Sequence, residues 1–167
     1  SLMKKFKFGG LEQPGLYIDE TVMRMCYTHR RIFMQLALNL IKENQLKKAE
    51  EVLAYADKHI PYYNVPVDYY GSLDEARAYT AINKKDKALD LLKKLWTKSE
   101  QYINWYCSLS GIRFSSAQND CLKQFYILQQ VNMLGGHVDP KWAEQNLNRL
   151  DALMNRYAAK GGGFPNN

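Results

Sequence analysis

The histidines of this chain are scattered rather than clustered. His29, His59 and His137 lie far apart and show neither an HxxxH nor an HExxH spacing. A metal site needs several ligands that converge on one ion, and this spacing does not indicate convergence. The sequence therefore predicts no metal site.

The cysteines are the strongest nucleophiles in the sequence. Cys26, Cys107 and Cys121 are odd in number and contain no CxxC pair, so neither a zinc site nor a disulfide framework is indicated. Cys26 and Cys121 fall on apolar helical faces, where a free cysteine behaves as a small hydrophobic side chain. A disulfide between Cys107 and Cys121 in an oxidising compartment stays open.

No motif predicts catalysis or a cofactor. Asp19 and Glu20 are adjacent and are typical of a helix start, whereas glycoside hydrolysis needs two carboxyl groups that face each other across a bond. The glycine-rich run at residues 9–15 lacks the order of a phosphate loop. Ser108 and Ser110 have no nucleophile-elbow context. We therefore expect no catalytic residue and no cofactor in this chain.

Two groups of residues are candidates for binding instead. The segment HIPYYNVPVDYYGS, residues 59–72 and here called the connector, holds two tyrosine pairs and two prolines. Its rings either seal a seam between packed helices or face a partner, and we expect one or two inside and the rest outside. Upstream, two adjacent arginines favour a solvated turn of helix surface, with anion binding as the alternative. The candidate partner-binding residues are Tyr62, Tyr63, Tyr69, Tyr70, Arg30 and Arg31.

The elements that must position these residues are helices. Apolar residues recur at three- and four-residue steps, which predicts an all-α fold of about six helices in antiparallel pairs. In the first helix this pattern places Val22, Met25 and His29 on the inner face. The first two expected helices run from an Asp19 cap to about Glu43 and from Leu46 to Lys58. The third begins at a Ser72 cap, with Glu75 completing a capping box, and the fourth runs from near Asp86 through Trp105. The fifth runs from about Ala117 to a stop at Gly135-Gly136, and the sixth begins at Pro140 after an Asp139 cap.

An internal repeat suggests how the helices pair. At an offset of 39 residues, Ala37 falls on Ala76 and Ala49 on Ala88, with the same spacing of 12 in both copies. Small residues at these positions let two antiparallel helices approach closely, and the pattern resembles the tetratricopeptide repeat of about 34 residues. We therefore predict a tetratricopeptide-like right-handed stack in which the connector carries the extra length between repeats.

Length and composition favour one domain. The 167 residues are 46% hydrophobic, and we expect an extended lead-in over 1–18, a single helical domain over 19–160 and a flexible tail over 161–167. The net charge of +6 is uneven, because residues 1–48 hold nine Lys and Arg against four Asp and Glu. We expect this basic excess to be mostly solvated and not to bind nucleic acid.

Several segments resemble a known family. Residues 5–31 (KFKFGGLEQPGLYIDETVMRMCYTHRR), residues 60–70 (IPYYNVPVDYY), and WYCSL followed by IRF at 105–114 resemble the C-terminal region of a bacterial family of large multi-spanning membrane proteins of unknown function. That family is similar to protein O-mannosyltransferases. The resemblance implies a parent protein whose membrane domain would hold any transferase chemistry, so no catalytic residue carries over to this chain. It also implies that the region is membrane-associated through its parent and lies on the periplasmic side.

These observations give one leading interpretation. The chain begins Ser1-Leu2-Met3, which we read as a piece of a longer protein. We expect a non-catalytic accessory or protein-interaction domain of a membrane glycosyltransferase-like protein, whose partner is another protein or the rest of the parent chain. The alternatives are a helical module that binds nucleic acid or an anionic surface, and an independent enzyme. The oligomeric state is not indicated.

Overall fold

The structure is a computed structural model that describes residues 9–165, and this part of the chain is all-α. It contains six helices and no strand: α1 (Glu20–Lys42), α2 (Leu46–His59), α3 (Tyr69–Ala81), α4 (Lys85–Ser108), α5 (Gly111–Val138) and α6 (Pro140–Ala159). The predicted fold class is confirmed.

The chain divides into two compact units, Ser1–Leu91 and Leu92–Asn167. In the first unit α1 packs against both α2 and α3, and in the second α5 packs against α6. The single domain over 19–160, the tetratricopeptide resemblance and the handedness of the stack stay predictions.

The core of the first unit contains the predicted small residues. Ala37, Ala49, Ala76 and Ala88 are all completely buried. Their side chains present only a methyl group, so neighbouring backbones can come close where these residues lie. The alanine pattern in the sequence therefore marked buried helix positions correctly.

The inner face of α1 differs from the prediction near the start of the helix. Asp19 caps α1 as expected, with its carboxylate accepting from the backbone N–H groups of Thr21 and Val22. Val22 and Met25, however, are exposed, so their predicted inward positions are wrong. The buried stripe runs instead through Cys26, Arg30, Phe33, Met34 and Ala37. It includes Arg30, which a search for apolar residues alone does not select.

The start of α3 is also corrected. Asp68, not Ser72, is the N-cap, and its carboxylate accepts from the N–H of Gly71. The predicted capping box is therefore wrong, since Ser72 and Glu75 both lie inside the helix and are buried. Asp68 has the extended backbone that an N-cap requires, and its own N–H donates to Ser72 Oγ at 3.1 Å, so Ser72 supports this cap from inside the helix.

In the second unit, α5 is longer than predicted at both ends. It begins at Gly111, which has a φ of +56°, and it runs through Gly135-Gly136 to Val138. The predicted stop at these two glycines is wrong. Gly135 is buried against Trp142 of α6, and a Cβ on it would lie 2.6 Å from the indole ring. This glycine serves close helix packing rather than helix termination.

The two ends of the described chain are irregular. Residues 1–8 of the predicted lead-in and the last two residues of the predicted tail lie outside the described residues. Residues 9–15 form turns, and residues 161–165 follow α6 without helix. Phe164 contacts the rings of Tyr157 and Phe125, with centroid distances of 5.1 and 5.5 Å.

Candidate functional site

Arg30 lies at the centre of the first unit rather than on its surface. Its side chain is 1% exposed, so the prediction of a solvated arginine pair is wrong for this residue. The guanidinium donates to the carbonyl oxygens of Ile60, Val65 and Pro66, at 3.2, 2.6 and 2.8 Å, and to Asp68 Oδ1 at 2.8 Å. Arg30 therefore holds the connector in shape from the inside, with a rigid fork that matches several acceptors at once.

Tyr62 covers the guanidinium and extends the network to α3. Its ring lies over Arg30, with the guanidinium carbon 4.1 Å from the ring centroid. Its hydroxyl lies 3.0 Å from Ser72 Oγ and donates to Glu75 Oε2. Burial, and then the nearby Glu75 charge, raise the pKa of the Tyr62 hydroxyl well above its usual range. This tyrosine is a neutral donor that links the connector to α3.

Glu75 is a buried acid held in its protonated form. Burial first, and then the hydrogen bond to Asp57, raise the pKa of Glu75 to about 8. If both acids were ionised, Glu75 Oε1 would be buried without a donor. A proton on Glu75 turns its contact with Asp57 into a hydrogen bond. The Tyr79 hydroxyl also donates to Asp57, at 2.7 Å, so the network ends at an acid that is partly open to solvent.

The outer side of the connector holds the lead-in. Asn64 is nearly buried, and its Nδ2 donates to the carbonyl oxygens of Leu11 and Gln13 at 2.7 and 2.6 Å. The Tyr63 hydroxyl donates to the Glu12 carbonyl at 2.6 Å. Residues 9–15 are thus held by the connector through three backbone carbonyl groups.

The four connector tyrosines divide into two half-buried rings and two exposed rings, so none is as fully inside as expected. Tyr62 and Tyr69 are half-buried, whereas Tyr63 and Tyr70 are each more than 60% exposed. Tyr70 lies beside Arg31, with the guanidinium carbon 5.0 Å from the ring centroid. Of the six candidate partner-binding residues, the exposed ones are therefore Arg31, Tyr63 and Tyr70. Their role in binding stays a prediction.

The second unit exposes aromatic rings on α4. Tyr102, Trp105 and Tyr106 are spaced three and four residues apart, so they lie on one helical face. The rings of Tyr102 and Tyr106 stack at 6.3 Å, and those of Trp105 and Tyr106 lie 5.0 Å apart. Trp105 is 55% exposed and Tyr102 is 41% exposed. We call these three residues the aromatic patch.

All three cysteines are buried free thiols. Burial raises the pKa of Cys26 and of Cys107. Burial and then the Cys107 thiol raise the pKa of Cys121 to about 12, and the two thiols are hydrogen-bonded to each other. Neutral buried thiols are poor nucleophiles. The arrangement therefore favours packing over thiol chemistry, and a disulfide between Cys107 and Cys121 stays an open prediction.

The chemistry available to this arrangement depends on its acids and on its possible metal ligands. In residues 9–165, no three His, Cys, Asp or Glu side chains come together as metal ligands would. The perturbed acid, Glu75, is covered by its own protein partners, whereas a catalytic acid needs reach to a substrate. An open depression at the turn between α3 and α4 is lined by Asn83–Lys87, and its Lys84 pairs with Glu50.

Sequence reasoning missed three residues of this site. Two of them, Asp57 and Glu75, are the acids that face each other, and the third, Asn64, binds the lead-in. None of the three was among the predicted site residues. The available signal was the position of Glu75, which lies next to Ala76 and four residues before Tyr79 and so shares a helical side with residues predicted to be inward. An acid at such a position indicates a buried partner.

Two further findings bear on identity. No helix among residues 9–165 has the length and apolar character needed to cross a bilayer. No protein-family model, no curated protein and no solved structure matches the chain.

Proposed function

We propose that this chain is a non-catalytic protein-interaction domain that acts as an accessory to a larger membrane glycosyltransferase-like protein. The reason for proposing a larger parent protein is the family resemblance of residues 5–31 and 60–70. The partner is a protein, either the rest of that parent or a protein bound to it.

The aromatic patch is the observation that carries the interaction role. Tyrosine and tryptophan are enriched in the cores of protein interfaces, because they contribute a large rigid surface at a small cost in side-chain entropy. Trp105 and Tyr102 leave much of that surface in water although both lie on a regular helix. Exposed rings grouped on one face are typical of a contact site rather than of scattered surface residues.

Photocrosslinking in the cell tests this proposal. A photoreactive phenylalanine analogue replaces Trp105 in the protein at its native level, and the crosslinked products are identified by mass spectrometry. The matched control carries the same analogue at Lys93, which is exposed on the same helix but lies outside the aromatic patch.

The expected result is a discrete protein adduct at position 105 that is absent at position 93. Trp105→Ala should remove the corresponding association while the helical circular dichroism signal stays unchanged. Equal adducts at both positions, or adducts with only lipid or nucleic acid, would contradict an interaction role for the aromatic patch.

A further inference from the structure

The lead-in turn, residues 9–15, contacts the connector in the way that a bound peptide contacts its site, through one buried side chain and several backbone carbonyl groups. A hydrogen bond of 3.0 Å from the Gln13 N–H to the Gly10 carbonyl closes the turn. Leu11 at its corner is 7% exposed. Around this one buried side chain, the connector binds main-chain carbonyl groups, and His59 Nδ1 lies 2.7 Å from Glu12 Oε1.

The contacts are concentrated on three consecutive residues. Leu11 supplies the apolar anchor and a carbonyl group, Glu12 supplies a carboxylate and a second carbonyl group, and Gln13 supplies a third carbonyl group. The flanking Gly10 and Gly15 have positive φ angles of 87° and 77°. Residues 14–17 are exposed. A short anchored turn with exposed chain between it and α1 has the features of a segment that opens locally, without unfolding of the helices.

The opposite side of the contact is rigid. Asn64 is 8% exposed and lies in a connector whose carbonyl groups are bound by Arg30 from within. Both amide hydrogens of Asn64 are directed at the turn, and the contacts of Arg30 that hold the connector do not involve the turn. A site ordered in advance pays less ordering cost when it binds.

We propose that Asn64, Tyr63 and His59 form a peptide-binding site, and that the lead-in turn is its internal ligand and competes with external peptides. The site takes a short turn with a leucine at the corner, a following acidic residue, and three accessible carbonyl groups around them. Leu11-Glu12-Gln13 has this chemistry. Because the site lies in the first unit, this inference is independent of the role proposed for the aromatic patch.

The test keeps the whole chain and empties the site. The double substitution Leu11→Asp with Glu12→Ala removes the anchor and the carboxylate of the internal ligand, and we call this variant the emptied chain. The probe is a fluorescent peptide, GGLEQPGL, which copies residues 9–16. Fluorescence anisotropy measures its binding to the wild-type chain and to the emptied chain.

The emptied chain should bind the probe at least about tenfold more tightly than the wild-type chain, because a short tether keeps the internal ligand at a millimolar effective concentration. Replacing the first leucine of the probe, which copies Leu11, with aspartate should abolish binding. The proposal is overturned by equal binding to the two chains, or by no saturable binding to the emptied chain up to about 5 mM probe, which exceeds that effective concentration.

Substitutions in the site identify the donors. Asn64→Asp in the emptied chain keeps the shape but removes both N–H donors, and it should abolish measurable binding. Since Asn64 is nearly buried, Tyr63→Phe provides a second variant on an exposed ring, and it should weaken binding about three- to tenfold, as the loss of one hydrogen bond does. If the Asn64→Asp variant folds and binds the probe as before, the proposed site is wrong. If that variant does not fold, unchanged binding in Tyr63→Phe overturns the proposal instead.

Discussion

Arg30 and Glu75 show two ways in which a charged residue type is accommodated inside a small helical unit. Arg30 keeps its charge, because one carboxylate and three carbonyl groups surround it. Glu75 favours its neutral form at neutral pH, because burial, and then the hydrogen bond to Asp57, raise its pKa to about 8. Burial of a charge is costly unless it is paired or neutralised, and each residue follows one of these routes.

Replacing Arg30 with lysine should destabilise the first unit by about 1–3 kcal/mol for each buried carbonyl group that it leaves without a donor. Lysine keeps the charge but cannot reach several acceptors with a planar fork. The control is Arg31→Lys, an exposed neighbour, which should change the free energy of unfolding by less than about 0.5 kcal/mol. Urea unfolding followed by circular dichroism measures both, and similar losses in the two variants would remove the special role of Arg30.

Glu75 should make stability depend on pH. Its pKa is raised from an ordinary 4.5 to about 8, so between these values the folded chain holds a proton that the unfolded chain has released. The free energy of unfolding therefore falls as pH rises through this window, by up to about 1.4 kcal/mol per pH unit, and this contribution is gone above pH 8. Glu75→Gln should remove that slope.

Urea midpoints at pH 5, 6, 7 and 8 measure this effect, and the difference between wild type and Glu75→Gln isolates the contribution of Glu75. Glu51→Gln, an exposed acid on α2, serves as the control and should keep the wild-type slope. Parallel lines for wild type and Glu75→Gln would mean that Glu75 is ionised in the folded chain at neutral pH.

At the scale of the element, small residues determine which helices approach closely. Ala49 on α2 and Gly135 on α5 are both buried, and each presents little or no side chain to a neighbouring helix. Helix propensity favours alanine over glycine by about 1 kcal/mol, so a glycine inside a long helix indicates a packing requirement. Each of the two residues has a matched exposed neighbour on its own helix.

Ala49→Leu should overpack the first unit and lower its stability by about 1–3 kcal/mol. Ala54→Leu on the same helix is the control, since Ala54 is exposed and a leucine there meets solvent. Thermal melting compares the two variants with wild type. An unchanged midpoint in Ala49→Leu would exclude a close helix approach at this position.

Gly135→Ala and Gly136→Ala should have opposite effects. A Cβ at Gly135 would lie 2.6 Å from the Trp142 ring, so we expect a loss of about 1–3 kcal/mol from overpacking. A Cβ at Gly136 meets nothing within 4 Å, so the better propensity of alanine should add about 0.5–1 kcal/mol. Urea unfolding monitored by tryptophan fluorescence measures both, and a gain in Gly135→Ala would contradict the close packing of α5 on α6.

At the scale of the whole molecule, the net charge of +6 raises the question of an anionic partner. Part of the basic excess of residues 1–48 is used within the chain, since Arg30 is buried and Arg24 lies 3.7 Å from Glu20. Binding to a phosphate backbone depends on free cations that release counterions.

We therefore expect the protein to bind duplex DNA and anionic vesicles only weakly at physiological salt. Fluorescence anisotropy with labelled DNA and co-sedimentation with vesicles, each over a salt series, measure this. Submicromolar binding that falls steeply with salt would instead favour the nucleic-acid or anionic-surface alternative.

The sequence by itself determined the helices and many of the buried positions. Apolar spacing, the Asp19 and Asp139 caps and the alanine pattern are local signals, because each depends on residues within one or two helical turns. For this reason the all-α class and the limits of α1 and α2 could be predicted closely. The same signals were insufficient at the start of α3 and at Gly135, where a competing local motif pointed to a different boundary.

Only the tertiary structure decided the polar site. The partners of Arg30 lie 30 to 38 residues away in the chain, and Asn64 binds carbonyl groups more than 50 residues upstream. Such contacts depend on which helices meet, and no local spacing encodes them. The energy of a buried polar group depends on its partners rather than on its own type. The sequence therefore predicted Arg30 on the surface and Glu75 in a capping box, and only the fold brings their partners around them.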